Sequence, residues 1–519
     1  MRHSSPDLSR RRRRRPLRQW PRRLLLIVNV GVAVCLVGSG LAFGWVRYRI
    51  DAIHTVGASH LSGTGSSDVV DGLAPENILL IGNETRAGLT NPNQIKQFGS
   101  PQQLSGSLSD VIMILHLDPV KRSASILSVP RDLFVPMPAG SPVGAYNKID
   151  AALNDGAKGP DNLIAAITDD LGIPINHYVE VNFDGFEKTV DALGGIRMDF
   201  PERLYDAYSL LGISHTGCQL LGGAQALALV RSRHLQYDPP NVPVEDRANW
   251  PYDPESDLAR IVRDHIFMRV LIKTAESQGL GNPLKLNSFL SAVTDQVTMD
   301  PGLRSQLINL AVHYRRIGAG SIPETTLPVT VVGYPSGYTF DGNEEGQVDF
   351  PVQPADNRAI DAWDGQALPR AVDPRAVQVY NSVGTVNLAA TTGTALTRTG
   401  LRVTTEGDVA APSTVTETMI KYHPGQVTRA LAVMKRFKGA IMLQPDGGVH
   451  RGTVAVDVGT TEAVTSPRSS QARAGGSGSA TTRPGPAKAP ASTASPTPGG
   501  VQASSAKDQL TPYDPRPCG

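Results

Sequence analysis

Short apolar runs separated by polar or turn-forming residues set the pattern from residue 77 to 278. Residues 77–82 (NILLIG) and 111–117 (VIMILHL) are apolar over the length of a buried strand. Asp118-Pro119 supplies a tight turn into residues 124–129 (ASILSV), so the spacing predicts an antiparallel hairpin. Leu163, Ile164, Ile167 and Leu171 recur at helical spacing and predict an amphipathic helix over 162–171. A strand over 177–182, a helix over 184–193 and a strand over 196–200 make a second strand–helix–strand passage. Strands and helices in alternation imply a sheet covered by helices, an α/β layered domain.

Further along, residues 221–230 form an apolar helical stretch that ends in Arg231-Ser232-Arg233-His234. Ser256-Asp257 caps the helix DLARIVRDHIFMRVLIKTA. Leu258, Ile261, Val262, His265 and Ile272 make its expected buried stripe, and Arg260, Arg263, Asp264 and Phe267 lie on a different face. Residues 279–372 look helical and loop-rich, and a fresh β-rich unit starts at 374 and runs to 462. From 463 to 519 the chain is Ser/Thr/Pro/Gly/Ala with few large apolar groups, a composition expected to stay disordered.

Composition changes this picture mainly at the N-terminus. The 519-residue chain has a net charge of only +2, which gives no support to nucleic-acid binding, yet residues 1–23 alone carry ten arginines and one acid. Residues 24–46 follow with Asn29 as the single strongly polar side chain, long enough as a helix to cross the ~30 Å hydrocarbon layer. A cleaved signal peptide would have a shorter apolar core of ~7–15 residues. The arginine arm therefore predicts a retained signal anchor with residues 1–23 cytoplasmic and everything from 47 onward extracytoplasmic. Residues 47–76 form a neck. Cys218 and Cys518 lie outside the span, and because pairing them requires the tail to fold back, the expectation is two free or intermolecular thiols.

Candidate chemistry sits at strand ends. If strand 77–82 runs antiparallel to 111–117, then Glu84, Arg86, Asp110, Arg131 and Asp132 emerge along one edge of the sheet. Taken singly, each is an ordinary solvated loop residue. Together, carboxylates offer hard oxygen ligands to Mg²⁺ and guanidinium forks suit phosphate. Arg231 and Arg233 would complement a helix C-terminus, and Arg260 and Arg263 would form an exposed charged face, unless an anion gathers them. The loop from 84 to 110 exceeds usual connection lengths and suits a lid or an acceptor-binding flap.

These segments carry a resemblance. NILLIGNETR, LSDVIMILHL, ILSVPRDLFVP, YNKIDAAL, GGAQALALVRSRH and SDLARIVRDHIFMR stand in the order and spacing of the LytR-CpsA-Psr family, and residues 374–462 resemble the accessory LytR C-terminal domain. The resemblance implies an α-β-α layered mixed sheet over 77–365, following one transmembrane helix, with a small α/β domain over 374–462. It also implies an apolar pocket for a prenyl chain. The implied activity is transfer of a glycopolymer from a polyprenyl-pyrophosphate carrier to a peptidoglycan hydroxyl, with a phosphodiester left in the cell wall. Position by position, Glu84 and Asp110 match Mg²⁺ (or Mn²⁺) ligands. Arg86, Arg131, Arg231, Arg233, Arg260 and Arg263 match pyrophosphate-binding positions, and Asp110, Arg131 and Asp132 are the expected catalytic groups. Asp110 and Asp132 are both candidates to accept the acceptor's proton. Glu84, Leu108 and Asp264 depart from the usual Asp, Arg and Gln. Those departures motivate an alternative, a catalytically weak member that binds lipid-linked intermediates as a scaffold.

Overall fold

The structure is a computed structural model that describes residues 43–63, 69–83, 109–239, 242–254, 256–278, 297–333, 337–352, 355–365, 371–408, 417–439, 441–459, 463–464 and 510–518, with 291, 294 and 296 besides. Residues 24–42 of the expected membrane span, Glu84, Arg86 and Leu108 lie outside these. Among the described residues no helix is long and apolar enough to cross a membrane. Residues 43–51 are helical and belong to a unit ending at Ala52; the chain from Ile53 onward forms a second unit.

Within the second unit a seven-stranded mixed sheet is the central layer. Its strands lie in the order His54–Thr55, Val297–Met299, His177–Asn182, Glu76–Asn83, Ser109–Asp118, Ser123–Ser128 and Glu324–Thr326. The Glu76–Asn83 strand pairs parallel with His177–Asn182 and antiparallel with Ser109–Asp118, which in turn pairs antiparallel with Ser123–Ser128. Glu76–Asn83 is covered on both faces, which is why it reads as a continuous apolar run instead of an alternating one.

One face of the sheet presents Leu79, Ile81, Ile112, Ile114 and Leu127 to the helices Gly159–Leu171 and Ala355–Trp363. Pro160 opens the first of these helices and Gly172, at φ 68°, closes it in the left-handed conformation. The other face carries the helices Phe183–Ala192, Gly223–Val230 and Ser256–Gln278. Asn182 caps Phe183–Ala192 by accepting from the Gly185 N–H at 2.8 Å. Gly223 lets the second helix approach that one closely, since a Cβ there would collide with the Glu187 carbonyl. The result is an α-β-α arrangement.

Four sequence expectations are corrected here. The strand Ile196–Phe200 forms where expected but does not join the central sheet; it pairs with Gly217–Leu221 and Arg516–Pro517. The stretch 279–372 holds more strand than anticipated, including Val329–Val332, Tyr338–Phe340 and Val348–Pro351. The tail does not run free to its end: Leu510 and Tyr513 pack on a hydrophobic core, and Cys518, expected with Cys218 as a free or intermolecular thiol, is instead disulfide-bonded to it across 300 residues of sequence.

The C-terminal domain is a five-stranded sheet in the order Val403–Asp408, Ala376–Asn381, Thr453–Val458, Thr418–Tyr422 and Ile441–Pro445, with helices Leu388–Arg398 and Val427–Met434. It docks on the first domain through a mixed seam. Met442 enters a cluster with Phe134, Tyr338, Phe340 and Phe350, and the Tyr422 hydroxyl donates to the Asp169 carbonyl at 2.7 Å. At the same seam the buried Asp170 carboxyl accepts the Leu443 N–H beside Asp356, and burial, followed by the Asp356 and Asp169 charges, pushes its pKa up to about 8.

Candidate active site

Asp110 enters the site from the start of the Ser109–Asp118 strand, and Arg131 and Asp132 follow the end of the antiparallel partner Ser123–Ser128. The hairpin thereby delivers all three to one edge, as its register requires. Arg131 Nη1 lies 2.8 Å from Asp110 Oδ1. Arg260 Nη1 approaches the same oxygen at 3.6 Å, and Arg231 Nε lies 3.7 Å from Asp110 Oδ2. Three guanidinium groups from three separate elements thus converge on one carboxylate. Asp110, Arg131 and Arg260 are buried, so these charges meet where water screens them little.

Arg131 also faces Asp132 at 3.7 Å and Asp150 at 3.9 Å, while Lys148 holds Asp132 at 2.9 Å. Burial, opposed by the Arg131 charge, pushes the Asp150 carboxyl up to about 7. Asp150 was not singled out from the sequence, although it lies inside the YNKIDAAL segment. Its signal was one carboxylate in an otherwise apolar turn.

The loop after helix Gly223–Val230 is fixed by a residue that sequence reasoning missed. Asp206, fully buried, accepts from the Ser232 hydroxyl at 2.7 Å and from the Arg233 and His234 N–H groups at 3.1 and 3.0 Å. Arg231 is then held over the Phe183 ring, 4.3 Å from its centroid. Arg233 is half-buried, and its backbone serves the Asp206 cap.

Arg263, which the resemblance sets beside Arg260 at the pyrophosphate, is fully buried. Its Nη1 lies 2.7 Å from Asp253 Oδ2 and 3.5 Å from Asp514 Oδ1, and its Nη2 donates to the Ser232 carbonyl at 2.9 Å. Nor is the face of Arg260, Arg263, Asp264 and Phe267 exposed; all four are buried, as are Ile261 and His265 on the other face.

Beside the arginines a cavity of about 310 Å³ runs between the sheet and the three helices. Leu80, Val111, Met113, Val181, Phe186 and Phe267 are among the side chains of its largely apolar wall. Asp110 and Arg231 also line it, so the charged cluster and the apolar cavity are continuous. Asp264 places a carboxylate in that wall. Among the described residues no group of three or more His, Cys, Asp or Glu is poised to hold a metal ion. Asp110 supplies a hard oxygen donor of the type Mg²⁺ takes, and its expected partner Glu84 lies outside the described residues.

Comparison with known proteins adds the following. The LytR-CpsA-Psr family pattern matches residues 57–350, and that of the LytR cell envelope-related transcriptional attenuator matches residues 375–461. The cell wall biosynthesis protein LcpA of Corynebacterium glutamicum is 27% identical over 466 residues, covering 83% of this chain and 85% of the relative. The probable cell wall biosynthesis protein LcpB of the same organism is 29% identical over 320 residues, covering 61% and 68%. The polyisoprenyl-teichoic acid–peptidoglycan teichoic acid transferase TagV of Bacillus subtilis is 37% identical over 130 residues, covering 24% and 32%. Among solved structures, a LytR-Csp2A-Psr enzyme from Actinomyces oris is 25% identical with a TM-score of 0.40, covering 53% of this chain and 88% of that one.

Proposed function

Because the chain belongs to the LytR-CpsA-Psr family, we propose that it transfers a glycopolymer from a polyprenyl-pyrophosphate carrier to peptidoglycan in cell-wall assembly. The observation that carries this reading is the continuity of the Arg131–Arg231–Arg260 cluster with an apolar cavity, a match for a ligand that joins a pyrophosphate to a long hydrocarbon. The prenyl chain lies among Leu80, Met113, Val181 and Phe267, and the arginines bind the phosphate oxygens. The acceptor hydroxyl oxygen attacks the phosphorus that bears the glycan. The P–O–P bond breaks, polyprenyl phosphate leaves, and a phosphodiester remains. In such a reaction the protein chiefly positions the groups and neutralises charge on the phosphate oxygens.

Asp110 and Asp132 remain the two candidates for taking the hydroxyl proton. Asp110, with Glu84, is also the proposed holder of Mg²⁺ or Mn²⁺, which when bound offsets the negative charge of the pyrophosphate. The proposed location is the outer face of the cell membrane, anchored by residues 24–46 with the N-terminus cytoplasmic. What supports an extracytoplasmic position is the Cys218–Cys518 disulfide, since such bonds persist in oxidising compartments.

Full-length protein in detergent, given a divalent cation, a polyprenyl-pyrophosphate glycan and peptidoglycan fragments, should release polyprenyl phosphate. Arg131→Ala and Arg231→Ala should each abolish release. A second reading, a scaffold that binds such lipids without turnover, is favoured by the Asp264 carboxylate in the cavity wall. Lipid bound without turnover, beside an active relative, would establish that reading and overturn the first.

A further inference from the structure

The last described residues, Leu510–Cys518, are joined to the first domain in five ways. Arg516 and Pro517 extend the sheet of Ile196–Phe200, pairing with Asp199 and Met198. Cys518 is bonded to Cys218, which also pairs with Asp199 from the opposite side of that strand. The Tyr513 ring stacks on Tyr237 at 4.1 Å between centroids and 5° between planes. Its hydroxyl donates to Asp253 Oδ1 at 3.2 Å. Asp514 is buried, accepts the Thr511 N–H at 2.8 Å and lies 3.5 Å from Arg263.

Two of these contacts therefore end on the Arg263–Asp253 pair. That pair matters to the site because Arg263 also holds the Ser232 carbonyl, and Ser232 stands between Arg231 and Arg233. Asp206 grips the same loop from its other side, through the Ser232 hydroxyl and two N–H groups. A buried guanidinium keeps its place only while its carboxylates and acceptors surround it, and removing one partner of such a cluster is strongly destabilising. Asp514 is one of the two carboxylates beside Arg263.

We propose that the C-terminal segment is a positioning element of the arginine site. Tyr513 and Asp514 hold Asp253 and Arg263, Arg263 holds the Ser232 carbonyl, and the Ser232 loop keeps Arg231 against Asp110. The disulfide and the short strand pin the segment so that Asp514 stays beside Arg263. Asp514 and Tyr513 are positioning residues, with no contact to substrate required of them. The inference rests on the arginine cluster being the phosphate site.

Three forms of the full-length protein test it: wild type, Asp514→Asn, and a chain ending at residue 509. Asp514→Asn should lower kcat by about tenfold to a hundredfold, the scale expected when a group is displaced by about 1 Å, with KM changed far less. A synthetic peptide of residues 510–519 should restore turnover to the shortened chain, and the same peptide carrying Asp514→Asn should not. A general loss of stability would not be relieved by the one peptide and left by the other. Hydrogen exchange at the amides of residues 231–234 and 256–267, measured without substrate, should quicken in both variants and recover with the native peptide. Wild-type turnover in folded Asp514→Asn, or equal rescue by both peptides, would overturn the proposal. If wild type itself shows no turnover, the functional reading fails, while the exchange measurement still decides whether the segment positions the loop.

Discussion

Replacing Asp170 by asparagine should stabilise the protein, and more so as the pH rises. Asp170 is enclosed at the seam between the domains, where burial and then the Asp356 and Asp169 charges raise its carboxyl to about 8. In the unfolded chain it titrates near ~3.9. Between those values the folded protein holds a proton that the unfolded chain has released, so stability falls as pH rises, by about 1.4 kcal/mol per unit for one proton. The fall ends once the pH passes the folded value. From about pH 4 to pH 7 this sums to about 4 kcal/mol at most, less where Asp356 shares in the titration. Asparagine keeps a carbonyl oxygen for the Leu443 N–H and carries no titrating proton. Melting temperatures of wild type and Asp170→Asn, taken by calorimetry from about pH 5 to pH 8, should diverge by ~1–2 °C for each kcal/mol. A gap that stays constant across that range, or a variant less stable than wild type at the alkaline end, would refute the reasoning.

Three further outcomes are expected. His177, 2.9 Å from Asp300 and 3.6 Å from Glu76, is lowered by burial but raised more by those two acids, to about 9. Its contribution, about 2–3 kcal/mol after discounting for solvent screening, is fully present below pH ~6.5 and lost as pH rises through 9. Glu76→Gln should therefore lower the melting temperature more at neutral pH than above pH ~9.5, and equal losses at both would count against the assignment. Val181→Trp should fill part of the cavity beside Phe186 and raise KM for the polyprenyl substrate, read from initial rates, while the folded secondary structure seen by circular dichroism is retained. Chelation should remove activity and added Mg²⁺ or Mn²⁺ should restore it; turnover that persists in chelator would refute the metal proposal.

What the sequence made legible was local. The strand His177–Asn182 and the hairpin around Asp118-Pro119 follow from runs of apolar residues and turn chemistry, and they form where the pattern puts them. The hairpin register then brings Asp110 to Arg131, so that part of the site was readable from strand polarity alone. Pairings between distant segments were not. Ile196–Phe200 has a strand pattern that says nothing of its partners, one of which lies at the far end of the chain. Arg260 and Arg263, three residues apart on a helix, differ by about 60° in direction, enough for one to face Asp110 and the other Asp253. Asp206, at the end of a short strand, and Asp253 and Asp514, in loops, are single carboxylates, and only folding reveals which N–H groups and guanidinium they meet. The composition of 463–519 hid the order of residues 510–518, because a Ser/Pro/Ala average is blind to Tyr513, Asp514 and Cys518.

The bond between Cys218 and Cys518 also imposes an order on the protein's maturation. It joins residues 300 positions apart. Synthesis runs from the N-terminal end, so Arg263 has its Asp253 partner in the chain well before Asp514 is made. The brace on the arginine loop is thus complete only once residues 510–518 have joined the fold. A chain that stops before Asp514, or one in which Cys218 and Cys518 stay reduced, lacks part of that brace, so the arginine loop is the last part of the site to be secured.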